Sequence, residues 1–242
     1  MLKKERQNTI LEIIKFRKYC TVNFLSEKLF VAPITIRRDL TEMESVGLVV
    51  RCYGGATIPE YENREVPFEV RDKNNFNIKE NLAKRAARLI KTGDIVFLDA
   101  SSTVSHITEQ LGTEQNLTVI TNSTLVAEKL REKHIRCYLT GGMPVENSHA
   151  LVGSIAEQSL SGLYANLCFF SAQGIDENGI ISDQSEAESS LRRLMIENSQ
   201  KQYFIFDGSK YNKRFAFKIC TTQELSGVIT DLKDISFKSN TK

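Results

Sequence analysis

From residue 79 onward the chain alternates two kinds of segment, and that alternation limits its folding choices more than any other feature. Five short runs rich in β-branched and aromatic residues, "DIVFLDA" (94–100), "LTVITNS" (117–123), "IRCYLTGG" (135–142), "NLCFFSAQGID" (166–176) and "QYFIFDGSK" (202–210), are separated by helical stretches. A helix spans about 79–91, and others begin near 102, 123, 153 and 186. Strands joined through helices build βαβ units. The spacing therefore predicts an α/β domain over 79–236 with a mostly parallel sheet.

The first sixty residues follow a different rule. Ile10, Ile13 and Ile14 share one helical stripe, and Val22, Leu25 and Leu29 share a second. Ile36, Leu40 and Met43 form a third, with Gly47 as its stop signal. "LVVRCYGGAT" (48–57) then reads as a strand, a glycine turn and a return strand. Three helices and a hairpin in this order predict a winged helix-turn-helix over 1–57. Residues 58–78, "IPEYENREVPFEVRDKNNFNI", hold two of the four prolines and no sustained period, so they read as a linker.

Charge supports a division of labour. The chain carries +2 overall, but residues 1–60 carry +3 and the remainder −1, so the basic excess lies in the first module. The five cysteines are widely separated and unpaired in spacing, which reads as reduced core thiols. No apolar run approaches a membrane span, and "MLKKERQNTI" lacks the core of a signal peptide. A cytoplasmic protein without membrane contact is expected. The three histidines, His106, His134 and His149, have no neighbour at metal-ligand spacing, so structural or surface roles are expected and no metal site.

Projecting the third helix at about 100° per residue puts Ile36, Leu40 and Met43 on the core side. Arg38 then points almost directly away from the core, flanked by Ile34, Thr35 and Thr41, with Arg37 about a quarter turn off. Such a face can enter a DNA major groove, where arginine contacts guanine and hydroxyls hold phosphate. Arg51, Gly54 and Gly55 in the hairpin can approach phosphate as a wing. The plainer alternative is a solvated face in which Arg37 and Arg38 pair with Asp39 and Glu42.

"TIRRDL" (35–40) followed by "VGLVVRCYGGAT" (46–57) resembles the DNA-binding module of the DeoR family of bacterial regulators. The resemblance implies operator binding, as a dimer or tetramer, and adds Tyr53 to the wing at a position where the family commonly has histidine. Ala32 and Pro33 stand where the family usually starts this helix with a serine cap.

In open parallel sheets ligands bind at the carboxyl ends of the strands. Those ends are rich in small hydroxylated and amide residues. Ser101, Ser102 and Thr103 precede a helix and can offer hydroxyls and backbone N–H groups to an anion. Lys210 can supply a counter-charge, and Gly141 and Gly142 permit close backbone approach. Each has a plainer reading: Ser102 or Thr103 as a helix cap, Asp99 as a turn cap, Asn122 and Ser123 as a helix start, Glu186 as a first-turn acid.

In order, "LDASST", "LTVITNS", "LTGG", "LVG", "QGID", "EAE" and "DGSK" resemble the family's sensor domain, which is similar to ribose-5-phosphate isomerase. The resemblance implies an effector pocket at Asp99, Ser102, Thr103, Asn122, Gly142, Asp176, Glu186 and Lys210, and a phosphorylated sugar or similar metabolite as effector. Ser101 and Ser171 replace glycines usual in the family. The expected function is a transcription regulator, most simply a repressor of carbohydrate genes, with no catalytic residue and no cofactor. One alternative is a sugar-phosphate isomerase in which Asp99, Glu186 or Lys210 moves a proton. Another is a sensor that contacts a protein instead of DNA.

Overall fold

The structure is a computed structural model that describes residues 2–45, 48–52, 54–57, 68–146, 148–233, 235 and 237. It divides into two compact units, 1–65 and 66–242. Gly47 and Tyr53, assigned above to a helix stop and to the wing, lie outside the described residues.

In the first unit, helix α1 (Lys3–Arg17) leads to strand β1 (Tyr19–Thr21), helix α2 (Val22–Leu29), helix α3 (Pro33–Ser45) and strands β2 (Val50–Cys52) and β3 (Gly55–Thr57). Thr21 caps α2, its hydroxyl accepting from Phe24 N at 3.0 Å. Pro33 opens α3, and the Ala32 carbonyl accepts from Thr35 N at 2.9 Å. Ile10 and Ile14 of α1, Leu25 of α2, and Ile36, Leu40 and Met43 of α3 close on Val49 and Ala56 as one core. The three apolar stripes thus meet as the spacing requires.

Strand β1 escapes the sequence reading because it is three residues long and wedged between two helices. It pairs antiparallel with β3, which also pairs with β2. Gly55 makes this ladder possible: a Cβ there would lie 2.0 Å from the Cys20 carbonyl oxygen. Its small size is used inside the sheet.

The second unit begins with two helices, α4 (Phe68–Lys73) and α5 (Phe76–Ala87). The sequence reading assigns 58–78 to a linker, but 68–73 are helical and α5 starts three residues before the expected boundary of 79. Buried Phe68 anchors α4 at 3% exposure, an apolar contact too isolated to show periodicity.

The main sheet contains β4 (Ile95–Leu98), β5 (Thr118–Thr121), β6 (Arg136–Leu139), β9 (Ala165–Phe170), β12 (Ser199–Phe206) and β14 (Gly227–Thr230), all parallel, in the order β14-β12-β9-β4-β5-β6. Side chains alternate between its two faces. Phe97, Ile120, Cys168, Phe170, Phe204 and Phe206 meet helices α8 (Ser154–Ser161) and α9 (Glu186–Glu197) on one side. Val96, Leu98, Val119, Leu167, Phe169 and Ile205 meet α5, the short α6 (Ser102–Ser105) and α7 (Thr124–Glu132) on the other. Burial on both faces explains why these strands read as continuous apolar runs. Two small antiparallel sheets flank this one: β7 (Met143–Pro144) with β8 (Leu151–Val152), and β10 (Gly174–Ile175) with β11 (Ile180–Asp183) and β13 (Phe217–Thr221).

The order matters for function. From β4 the chain runs outward through β5 to β6, then returns on the other side of β4 with β9. The reversal lies between β4 and β9, so their carboxyl ends form the crevice where such sheets take ligands.

Candidate DNA-reading and effector sites

Helix α3 carries the first candidate site. Ile34, Arg37, Arg38 and Thr41 are exposed and Thr35 is half-buried. The acids that could neutralise the arginines are engaged elsewhere. Asp39 is buried and takes both Nε (2.5 Å) and a terminal nitrogen (3.2 Å) of Arg6, and this hydrogen bonding raises the guanidinium pKa. Glu42 takes Lys3 at 2.6 Å and the Gln7 amide at 3.1 Å. Helix α1 thereby neutralises the inner side of α3 and leaves Arg37 and Arg38 without an ion pair among the described residues. The two acids named as partners in the solvated-face alternative are thus engaged with α1.

Two wing candidates have structural duties. Arg51 donates to Thr41 Oγ1 at 2.7 Å, and its backbone N–H donates to Glu44 at 2.8 Å, so wing and helix brace each other. Gly55 is buried against β1 and is not free to approach phosphate, which corrects its assignment. Gly54 is exposed at φ 76°, in the left-handed region that favours glycine, and its carbonyl accepts from Val22 N at 2.6 Å.

At the β4–β9 switch point, Asp99 is 2% exposed and fully committed. Its Oδ1 accepts from Ser101 Oγ (2.6 Å) and Ser101 N (3.1 Å), and its Oδ2 accepts from Arg192 Nε (2.8 Å) and Ser171 N (3.4 Å). Arg192, also buried, donates further to Asp183 (2.8 Å) and Glu188 (2.7 Å). Its charge is needed there, because removing one partner from a buried ionic group strands the others. Asp99, expected in the effector pocket, is thus held in place at the end of β4 by Ser101, Ser171 and Arg192.

Ser101 caps α6, accepting from Val104 N at 3.3 Å, with φ −75°. No left-handed backbone is required, and its side chain turns inward to Asp99, so replacing the family's glycine leaves the loop intact. Ser102 and Thr103 are nearly covered. Ser102 Oγ accepts from Lys79 Nζ at 3.0 Å, and Lys79 also donates to the Arg71 carbonyl.

Lys79 is 3% exposed. Burial pushes its ammonium pKa down to about 8, opposed chiefly by Asp207 and reinforced by Lys210 and Arg71. Lys210 is likewise lowered, by burial first. Burial alone would raise the Asp207 carboxyl pKa, but hydrogen bonds from Ser209 and Asn75 and the charge of Lys210 hold it low. Lys79, Lys210 and Arg71 thus lie in one another's field, partly balanced by Asp207 and Asp72, with Lys79 on Ser102.

Buried polar atoms without a hydrogen-bond partner among the described residues include Asn122 Oδ1 after β5, Gln173 Nε2 after β9 and Glu188 Oε1 on α9. Asn122 follows β5 beside Asp99, since Leu98 pairs with Thr121, and its amide donates to the Leu151 carbonyl at 3.1 Å. Gln173 N donates to Asp183 at 3.2 Å, so it and Glu188 flank the Arg192 cluster.

The structure places the remaining expected residues as follows. Ser123 caps α7. Gly142, at φ 111°, has its missing Cβ against the Val152 carbonyl oxygen at 2.6 Å, and Gly141 adopts φ 71°. Asp176 accepts from Asn178 N and Ile180 N at 2.9 Å each and pairs with Arg214, holding the β10–β11 turn. Glu186 is exposed on the first turn of α9. Sequence reasoning missed Lys79, Arg71, Arg192 and Glu188. Arg71 fell inside the assigned linker and Lys79 at the start of the helix after it, and the Glu188–Arg192 pair carried only an i, i+4 charge signal.

Two cavities, of about 440 and 390 Å³, open at the opposite, amino-terminal edge of the sheet, beside Ile95, Tyr164 and Gln200 and beside Asn116, Arg131 and Arg136 respectively. Neither contains a residue of the cation cluster. Among the described residues no group of three His, Cys, Asp or Glu side chains is arranged to hold a metal. Nor is any helix there long and apolar enough to cross a membrane.

Comparison with known proteins matches residues 6–62 to the DeoR-like helix-turn-helix domain and 74–232 to the DeoR C terminal sensor domain. The chain is 37% identical to the uncharacterized HTH-type transcriptional regulator YulB of Bacillus subtilis, over 96% of this chain and 90% of that one. It is 31% identical to the lactose phosphotransferase system repressor of Staphylococcus epidermidis, over 98% and 96%. Among solved structures, eIF2B delta from Chaetomium thermophilum shares the fold at TM-score 0.50 and 14% identity, over 69% of this chain and 60% of that one. Ribose 5-phosphate isomerase A from Methanocaldococcus jannaschii aligns at TM-score 0.44 and 17% identity, over 57% and 55%.

Proposed function

The chain belongs to the DeoR family of transcription regulators, and from that premise we propose that it represses carbohydrate genes and is released by a phosphorylated sugar. The observation that carries the effector half is Lys79: a buried ammonium held on Ser102 Oγ, at the switch point, with Lys210 in its field. Cations gathered there against their mutual repulsion suit a dianionic phosphate. Asn122 Oδ1 and Glu188 Oε1 can each accept from a sugar hydroxyl, and Gln173 Nε2 can donate to one, so the hydroxyls of a sugar suit these groups where an apolar ligand does not.

The DNA half rests on Arg37 and Arg38, whose potential acidic partners are bound to α1. Ile34, Thr35, Arg38 and Thr41 then face base edges, while Arg37 and the wing residues Arg51, Tyr53 and Gly54 meet the backbone. Reading two half-sites requires a homodimer or homotetramer. The place of action is the bacterial cytoplasm.

In a mobility shift on DNA upstream of its own gene, Arg38→Ala weakens binding roughly tenfold, within the 1–3 kcal/mol of a base-reading arginine. Binding by both proteins declines as salt rises. Wild-type affinity unaffected by Arg38→Ala and by salt would contradict major-groove reading.

Catalysis is not part of the proposal. Asp99 is saturated by Arg192 and Ser101, and Glu186 is exposed away from that cluster. Incubation with pentose and hexose phosphates is expected to give no isomerisation; robust turnover would overturn the regulator-only reading.

A further inference from the structure

We infer that α4 is a ligand-stiffened relay: occupancy of the anion site at Ser102 tightens this six-residue helix, the first described element after the chain leaves the DNA-reading unit. The inference rests on the anion-binding reading above and adds the route by which occupancy is passed along the chain.

A helix of six residues is too short to persist by itself, so α4 depends on what holds it. Three side chains from elsewhere in the second unit do so, His149, His106 and Lys79. The buried Phe68 ring stands edge-on to His149, with centroids 4.7 Å apart. His149 Nε2 also lies 3.8 Å from the Glu69 carboxylate. His106 Nε2 lies 3.1 Å from Asp72 Oδ1. Lys79 Nζ donates to the Arg71 carbonyl.

The last contact is shared with the effector site. The same ammonium that holds an α4 carbonyl also donates to Ser102 Oγ at 3.0 Å. Arg71 itself lies in the field of both Lys79 and Lys210. Without an anion, the mutual repulsion of the three cations is offset only by aspartates, chiefly Asp207 and, on α4 itself, Asp72. A dianion beside Ser102 reverses that sign and draws Arg71 and Lys79 together. It also favours the charged form of Lys79, which best holds the Arg71 carbonyl. Opening α4 then requires giving up interactions with the anion, so the bound state resists opening more than the empty one.

The test uses the full chain, inorganic phosphate as the anion, and chloride of equal ionic strength as the control. Phosphate binding is measured by calorimetry, hydrogen exchange is followed across 68–73, and affinity is measured on the upstream DNA fragment. At ten times its own dissociation constant, phosphate is expected to slow exchange in 68–73 about tenfold, the factor set by mass action. It is expected to weaken DNA binding about fivefold. Phe68→Ala and the milder His149→Ala should still bind phosphate and DNA, yet lose most of phosphate's effect on DNA affinity.

Phosphate bound with exchange in 68–73 unchanged would overturn the relay alone. So would either variant, folded and binding phosphate, keeping the full DNA response. Phosphate failing to bind the wild type at all would overturn the anion-site reading, and the relay with it.

Discussion

Lys79 shows how one side chain sets the chemistry of the effector site. Burial lowers its pKa from the ordinary 10.5 to about 8. Between those values the folded protein has released a proton that the unfolded chain still binds, so stability rises with pH across that window. Below about 8 both states hold the proton, and burial of the charge costs its full amount. Anion binding has the opposite dependence, because it needs the ammonium. A phosphate ester is already a dianion above neutrality, so its affinity is expected to fall as pH climbs from 8 to 9.5, by up to about tenfold per unit. Calorimetric titration of the wild type and Lys79→Met checks this: the variant binds weakly and loses the drop, whereas a flat wild-type profile would contradict the role. Asp207 and Asp72 support the charged form against Lys210 and Arg71. At this scale the sequence showed Ser102 and Lys210, whose strand-end positions are conspicuous. It hid Lys79, because a lysine in an amphipathic helix ordinarily reads as solvent-facing.

Among elements, the parallel strands were legible because both their faces are buried, and α3 because Ile36, Leu40 and Met43 repeat with helical spacing. Short elements set by tertiary contacts were not. Strand β1 exists through its pairing with β3, and α4 through Phe68, His106, His149 and Lys79. Gly55 looked like a phosphate contact when only its neighbour Gly54 was considered, and β1 changed its meaning. Gly55→Ala places a Cβ against the Cys20 carbonyl and cannot be absorbed by a flexible side chain. It is expected to destabilise the first unit by about 1–3 kcal/mol and to weaken DNA binding, while phosphate binding by the second unit is unaffected. Calorimetry paired with DNA titration measures both; a variant that binds DNA at full affinity and unfolds like the wild type would show that β1 does not constrain the wing.

Across the whole molecule, two kinds of positive charge do two kinds of work. On α3 the arginines are exposed, and their acids are held by Arg6 and Lys3. Beside Ser102 Lys79 is buried and Arg71 and Lys210 are half-buried, which suits a small dianion and not a polymer. Neither distribution was visible in the net charge of +2; both emerge only when the fold decides which acids face which bases. Linkage joins the two sites only if the effector binds the DNA-competent and incompetent arrangements unequally. The direct test is the affinity of the full chain for its upstream DNA, measured by fluorescence anisotropy at fixed ionic strength against a panel of sugar phosphates and the matching free sugars. At least one sugar phosphate is expected to weaken DNA binding about fivefold or more, with its free sugar inert and the effect abolished in Lys79→Met. DNA affinity unmoved by every sugar phosphate, including those shown to bind, would contradict the account.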